Sequence, residues 1–168
     1  LWWKKDDLEM WKYLCKKGCG NNVLELASGT GRISIPLLRE GFKVTGLELS
    51  QTFCEASREK AITFQPNGKF IQGDISNFDL KEKFDTVFVG YNSFLHLLKN
   101  KDGEACLKSV KKHLKKDSRF YIDIYMPSPL YYYRPKNVRY PTIEYFDSQI
   151  NEEVLIEETN NYDPDREV

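Results

Sequence analysis

The chain has 168 residues, 40% hydrophobic and 14% aromatic, which suffices for one domain with a sizeable core. Its 25 acidic and 25 basic residues cancel, and with a pI near 6.9 they exclude a broad electrostatic pull toward nucleic acid or an anionic membrane. No apolar run approaches the ~20 residues that span a bilayer, and the start carries no signal-peptide pattern.

Leu8, Trp11, Leu14 and Cys15 recur at helical spacing, predicting an amphipathic helix over about residues 4–17 that stops at Gly18. "VLEL" (23–26) reads as a short buried strand, and "RISIPLLREG" (32–41) as a helix closed by Gly41. Pro36 is tolerated there because the first helical N–H groups have no internal partner. "KVTGLEL" is the next strand, followed by a helix from "SQTFCEASREKA" with Ser50 as its N-cap. "KFIQGDI" and "FDTVFVG" are the third and fourth strands. Asp102 is expected to cap the helix "GEACLKSVKKHL", in which Cys106, Val110 and Leu114 share a face, and "RFYIDIY" (119–125) is the fifth strand.

This alternation predicts an α/β fold: a Rossmann-like, doubly wound parallel sheet with helices on both faces. After Pro127 the pattern changes to period-two stretches with turn signals at Asp147-Ser148 and Asp163-Pro164-Asp165, predicting an antiparallel strand add-on. The expected divisions are an N-terminal helix at 1–20, a core at 21–127 and the antiparallel segment at 128–168 on the substrate side. The chain begins at Leu1 and ends on "NNYDPDREV", which leaves a fragment and a complete chain both open.

Ligands of open parallel sheets bind beyond the carboxyl ends of the strands. Here the first strand ends in Glu25-Leu26-Ala27-Ser28-Gly29-Thr30-Gly31, where Gly29 and Gly31 permit a sharp turn and a close approach of backbone to ligand. Glu25 stands where it can hold a cationic amino group. Glu48 ends the second strand, placed for a carboxylate that accepts from both hydroxyls of a ribose. Asp74 follows the third strand, where it can accept from an exocyclic adenine amine while Ile75 packs on the ring. Asn92, Ser93 and His96 follow the fourth. Taken singly, each has an ordinary structural reading: a tight turn, a solvated glutamate, a turn aspartate.

Together, "VLELASGTGR", "GFKVTGLELS", "FIQGDI" and "FDTVFVGYNSFLHL" resemble a class I S-adenosylmethionine-dependent methyltransferase. The likeness is to the small-molecule branch that includes glycine N-methyltransferase and the sugar N,N-dimethyltransferases. The resemblance implies S-adenosyl-L-methionine as cofactor. Glu25, Ala27, Ser28, Gly29 and Gly31 would then line its methionine and ribose side. Glu48 and Leu49 would meet the ribose, Asp74 and Ile75 the adenine, and Gly90 and Tyr91 the methionine part. Separately, Trp2, Trp3 and Trp11 read as core aromatics or a lid over the pocket, with Trp2 and Trp3 the better candidates for the lid. By residue type His96 is the candidate base, or else a ring that packs on the loop or only contacts substrate, and Asn92 is the candidate for positioning substrate. Ala27 stands where the common pattern has glycine, and is compatible with the fold if its φ is negative. The branch's arginine for a substrate carboxylate is replaced by "IDIYMPSP", which makes glycine a doubtful acceptor; Arg134 or Arg139 are the available substitutes.

The expected activity is methyl transfer to N or O of a small molecule, with neither nucleic acid nor membrane as partner and a homodimer allowed. A catalytically silent S-adenosylmethionine-binding or interaction module is the alternative. A nucleotide-linked oxidoreductase is disfavoured because "GTGRIS" has serine where the third glycine of G-x-G-x-x-G belongs. No His/Cys/carboxylate cluster has metal-ligand spacing, so no metal is expected. Cys15, Cys19, Cys54 and Cys106 read as free thiols in a reducing cytoplasm. Trp11 reads as core, Tyr131–Tyr133 as a hinge or an aromatic wall, and Lys111, Lys112, Lys115 and Lys116 as a solvated helix end. His113 among them is expected at the surface or rim.

Overall fold

A computed structural model describes residues 7–126, 134–148 and 150–160. The expectations for Trp2 and Trp3 and for Tyr131–Tyr133 lie outside them. Five parallel strands form one sheet: β1 (Asn22–Leu26), β2 (Lys43–Glu48), β3 (Gly68–Gln72), β4 (Phe84–Val89) and β5 (Leu114–Ile122), in the order β3-β2-β1-β4-β5. The helices are α1 (Leu8–Lys16), α2 (Ser34–Arg39), α3 (Gln51–Lys60) and α4 (Asn100–His113). Pairing runs outward from β1, with Glu25 level with Gly46 on one side and Phe88 on the other. The order reverses beside β1, so the carboxyl ends of β1 and β4 flank the crevice such sheets use for ligands.

The period-two alternation of a strand divides the core between the sheet's faces. Val23, Val44 and Phe88 belong to one buried cluster, with Trp11 and Cys15 of α1, Leu37 and Leu38 of α2 and Cys54 of α3. Leu24, Leu26, Leu47, Val87 and Val89 belong to the other, with Cys106 and Val110 of α4. Every residue of β1 is buried, as a central parallel strand requires. Two β1 residues after Val23, Glu25 is therefore carried toward the α1–α2 layer.

Local chemistry explains most boundaries. Ser50 accepts from the Phe53 N–H at 3.3 Å and caps α3. Pro36 falls in the first turn of α2, where its missing N–H costs nothing. Asp102 differs from expectation. The helix already begins at Asn100, so Asp102 lies in the first turn, where its charge complements the helix dipole but makes no side-chain cap.

His113 also differs: it is buried, not at the rim. Cys106, Ser109, Val110 and His113 follow one another at helical spacing on the sheet-facing side of α4. The His113 Nε2 accepts from the Leu80 N–H at 2.8 Å, its Nδ1 lies 2.7 Å from the Ser109 carbonyl, and its ring packs on Phe78. A backbone donor and a backbone acceptor thus satisfy a ring that patterning treats as polar. The helix ends there, and Leu114 opens β5 instead of joining the helical face.

Strand β5 stops at Ile122, three residues before the predicted end. Beyond it Asp123 turns to the β4 loop, with its N–H on the Val89 carbonyl and its carbonyl taking the Asn92 N–H. The segment after Tyr125 forms a separate unit. Its described residues make an antiparallel hairpin of β6 (Arg139–Asp147) and β7 (Glu152–Thr159), the add-on that the sequence pattern predicts. Arg134 pairs with Glu158 and stacks over Tyr140, while Arg139 pairs with Glu157 at 3.4 Å. Both arginines proposed as substrate ligands are therefore spent on hairpin glutamates.

Candidate active site

A cavity of about 760 Å³ opens at the carboxyl ends of the strands of the five-stranded sheet. Its walls come from four consecutive strand-end loops, and the ends of β1 and β2 are locked together. The carboxylate of Glu48, nearly buried, accepts from the Gly29 N–H at 2.8 Å and from the Ser50 N–H at 2.9 Å. One side chain therefore braces the glycine turn and the start of α3. A carboxylate has about four lone-pair sites, so both oxygens keep capacity for hydroxyl donors from the cavity.

Glu25 also lines the cavity, buried in the α1–α2 layer and accepting from the Ser34 hydroxyl. Burial pushes its carboxyl up to about 8, against the opposing pull of the Ser34 bond and the nearby Arg32 charge. Arg32 is a cavity residue that motif reading missed. Its two terminal nitrogens donate to the Asp7 carboxylate at 2.6 and 2.9 Å, and its guanidinium lies 5.6 Å from the Tyr91 ring centroid. Asp7 also accepts from the Trp11 indole at 3.2 Å, and Trp11 stacks on Phe88 of β4. The signal for Arg32 was an arginine directly after the glycines, but its partner lies 25 residues upstream.

Ala27 overturns the condition placed on it. Its φ is +55°, in the left-handed region where a Cβ costs roughly 1–2 kcal/mol. The turn imposes this conformation: the next residue, Ser28, donates its N–H to the Leu47 carbonyl. Gly29 (φ +56°) lines the cavity, whereas Gly31 (φ +81°) lies behind it, where a Cβ would sit 3.0 Å from Ile35. Ser28 also lines the cavity; its hydroxyl is buried and without a hydrogen-bond partner among the described residues.

Leu49 and Phe53, both well exposed, form an apolar lip on the β2 side. Asp74 uses one carboxylate oxygen for the Ser76 N–H at 2.7 Å, a turn aspartate that still lines the cavity beside buried Ile75. On the β4 side, a Cβ on Gly90 would meet Trp11 at 3.1 Å and Ile33 at 3.3 Å. Tyr91 and Asn92 both have positive φ, and the Tyr91 N–H donates to the Asp123 carboxylate at 3.0 Å. Asn92 is not among the lining residues. Its side-chain oxygen accepts from the Tyr125 N–H and fastens the loop to the chain after β5. His96 ends a single 3-10 turn (Ser93–His96), exposed and lining the cavity, with no side-chain partner given among the described residues.

The donor set is rich in acceptors. Among the described residues Glu25, Glu48, Asp74 and Asp102 bring carboxyl groups to the cavity, while the one arginine, Arg32, is held by Asp7. Such a lining suits a ligand that presents hydroxyls and cationic amino groups. It suits a pyrophosphate less well, because the described carboxylates would repel it and the lining arginine is already paired. Among the described residues no cluster of metal-ligating side chains occurs, and no helix is long and apolar enough to cross a membrane.

Comparison with known proteins gives the class. A model of the methyltransferase domain family matches residues 23–117, more than half of the chain, and the chain belongs to that family. A Bacillus subtilis (strain 168) protein named as a methyltransferase, YqeM, is 36% identical over 106 residues, covering 61% of this chain and 42% of that protein. The glycine/sarcosine N-methyltransferase of Parasynechococcus marenigrum (strain WH8102) is 33% identical over 117 residues, covering 66% and 40%. Among solved structures, the glycopeptide N-methyltransferase MtfA complexed with sinefungin superposes with a TM-score of 0.65 at 25% identity, covering 94% of this chain and 68% of that one. The chain spans about two fifths of the length of these two curated relatives.

Proposed function

We propose that this protein transfers the methyl group of S-adenosyl-L-methionine to a nitrogen or oxygen of a small molecule. One observation carries the reading: among the described residues the strand-end cavity is lined by four carboxyl groups and one arginine, which is paired with Asp7. The cofactor presents an ammonium, two ribose hydroxyls and an adenine amine, all donors. A dinucleotide presents a pyrophosphate, for which the described lining offers one arginine already paired with Asp7.

The residues fit the cofactor as follows. Glu25 would hold the ammonium, Glu48 the ribose hydroxyls, and Asp74 the adenine amine through its second oxygen, with Ile75 against the ring. Gly90 and Tyr91 would border the methionine part. When bound, the cofactor supplies a methyl group already activated by its sulfonium, so the protein contributes alignment and exclusion of water. A protonated amine or a hydroxyl must lose a proton to become a nucleophile, and His96 is the cavity's exposed imidazole for that task. Asn92 supports the reaction by holding the loop that carries His96, a different role from contacting substrate. The four thiols, all free, fit a reducing cytoplasmic setting.

Calorimetry with S-adenosylmethionine and with NAD tests the reading, which requires micromolar binding of the first and none of the second. Preference for NAD would sink it. Transfer of a labelled methyl group to a panel of amines and phenols then separates an enzyme from a silent binding module.

A further inference from the structure

Glu25, Arg32 and Asp7 form a charge arrangement that runs from the buried end of β1 to the start of α1. Strand alternation buries Glu25 against α2, where the Ser34 hydroxyl is the hydrogen-bond donor the structure gives it. The titratable and charged groups facing it are Cys15 from α1, Arg32 from the turn before α2 and Glu48 from β2. Of these, Glu48 disfavours a negative charge, while the Cys15 thiol, pushed up to about 12 by burial, stays neutral beside it. Arg32 would favour one, but both its terminal nitrogens are directed at Asp7 in a bidentate pair. Asp7 itself sits beside Trp11, which packs on the end of β4.

We propose that cofactor binding at this site releases a proton from Glu25, and that Asp7 is the positioning residue that keeps this carboxyl uncommitted by engaging Arg32. The inference rests on the reading of the cavity as an S-adenosylmethionine site. Before binding, the carboxyl is neutral. When the ligand's ammonium arrives it provides the positive charge that Arg32 withholds. The O–H bond of Glu25 then breaks, its proton passes to solvent, and a carboxylate–ammonium pair remains. The upward displacement of the Glu25 carboxyl to about 8 agrees with a neutral resting state.

Titration calorimetry at pH 6.5 in two buffers of different ionisation enthalpy tests this on the unmodified protein. S-adenosylmethionine should release close to one proton, by linkage. 5′-Methylthioadenosine, the same nucleoside without the amino-acid part, should bind and release none. Glu25→Gln should abolish the release with S-adenosylmethionine. Asp7→Asn frees Arg32 to pair with Glu25, so proton release should fall by about half or more and affinity by roughly tenfold, while Asp7→Glu restores both. Failure of S-adenosylmethionine to bind overturns the cavity reading and this proposal together. Binding with no buffer-dependent heat, or equal release with both ligands, overturns the proton linkage alone. Unchanged release in Asp7→Asn overturns the role of Asp7.

Discussion

The ends of β1 and β2 and the loop after β4 line one cavity, yet they are built in opposite ways. Glu25 and Glu48 are nearly buried, sit on central strands and are fixed by Ser34, Gly29 and Ser50. Tyr91 and Asn92 are held in left-handed conformations by Asp123 and Tyr125, and His96 stands exposed on a single 3-10 turn. Groups that hold a cofactor common to a family can be rigid parts of the sheet. Under the proposed function, groups that would meet the varying acceptor sit on a loop, which can change without disturbing the core.

The sharpest test of this division is Glu48→Ala. It removes the acceptor for two backbone N–H groups, each charge-assisted bond worth about 1.5–3 kcal/mol. Cofactor affinity should fall at least about 100-fold and the melting temperature by roughly 4–10 °C, as read by calorimetry and thermal unfolding. A variant that binds normally would show that the buried half does not hold the ligand.

The pH dependence of stability comes next. Glu25 is pushed up to about 8, above its ordinary 4.5, so the folded state keeps a proton that the unfolded chain has released. That stability is fully present below about 4.5 and is lost as pH rises through about 8, on the order of 3–5 kcal/mol in all. Asp7 acts with the opposite sign. The Arg32 guanidinium holds its carboxyl below the ordinary range, so its contribution is lost as pH falls. Denaturant unfolding between pH 5 and 9 should show the alkaline decline, and Glu25→Gln should flatten it.

Ala27→Gly sharpens the comparison from within the rigid half. Relief of a Cβ at φ +55° should stabilise the protein by about 1 kcal/mol, raising the melting temperature by roughly 2–4 °C. A fall would mean that the methyl group's packing outweighs the strain.

The smallest effect is expected on the exposed loop. His96→Asn should leave cofactor affinity within about twofold, because the imidazole braces none of the described residues, while slowing methyl transfer by roughly 100-fold or more if it accepts the proton. A loss of cofactor binding comparable to that of Glu48→Ala would erase the distinction between the two halves.

The sequence was most informative where chemistry is local. Strand and helix periods, the Ser50 cap and the glycine turn were all legible because each depends on residues a few positions apart. The carboxyl groups at the first three strand ends were legible for a related reason. In a parallel sheet, successive strands bring their ends to one edge, so position along the chain translates into position in space. The same rule could not show that each Glu48 oxygen also braces a backbone N–H, or that Asn92 secures a loop to Tyr125, 33 residues away. His113 was misjudged because its partners, the Leu80 N–H and the Ser109 carbonyl, are backbone atoms without a sequence signature.

By itself, then, the sequence determined the layered parallel sheet and the acidic, glycine-bearing strand ends that meet a ligand. Hydrophobic periodicity and turn chemistry are properties of short segments, and these two features follow from them. Tertiary structure decided the charge state of the site. Whether Glu25 is neutral, and whether Arg32 answers it or Asp7, depends on burial and on ångström-scale distances between segments far apart in the chain. The left-handed φ of Ala27 was likewise decided there, by the pairing of the turn with β2.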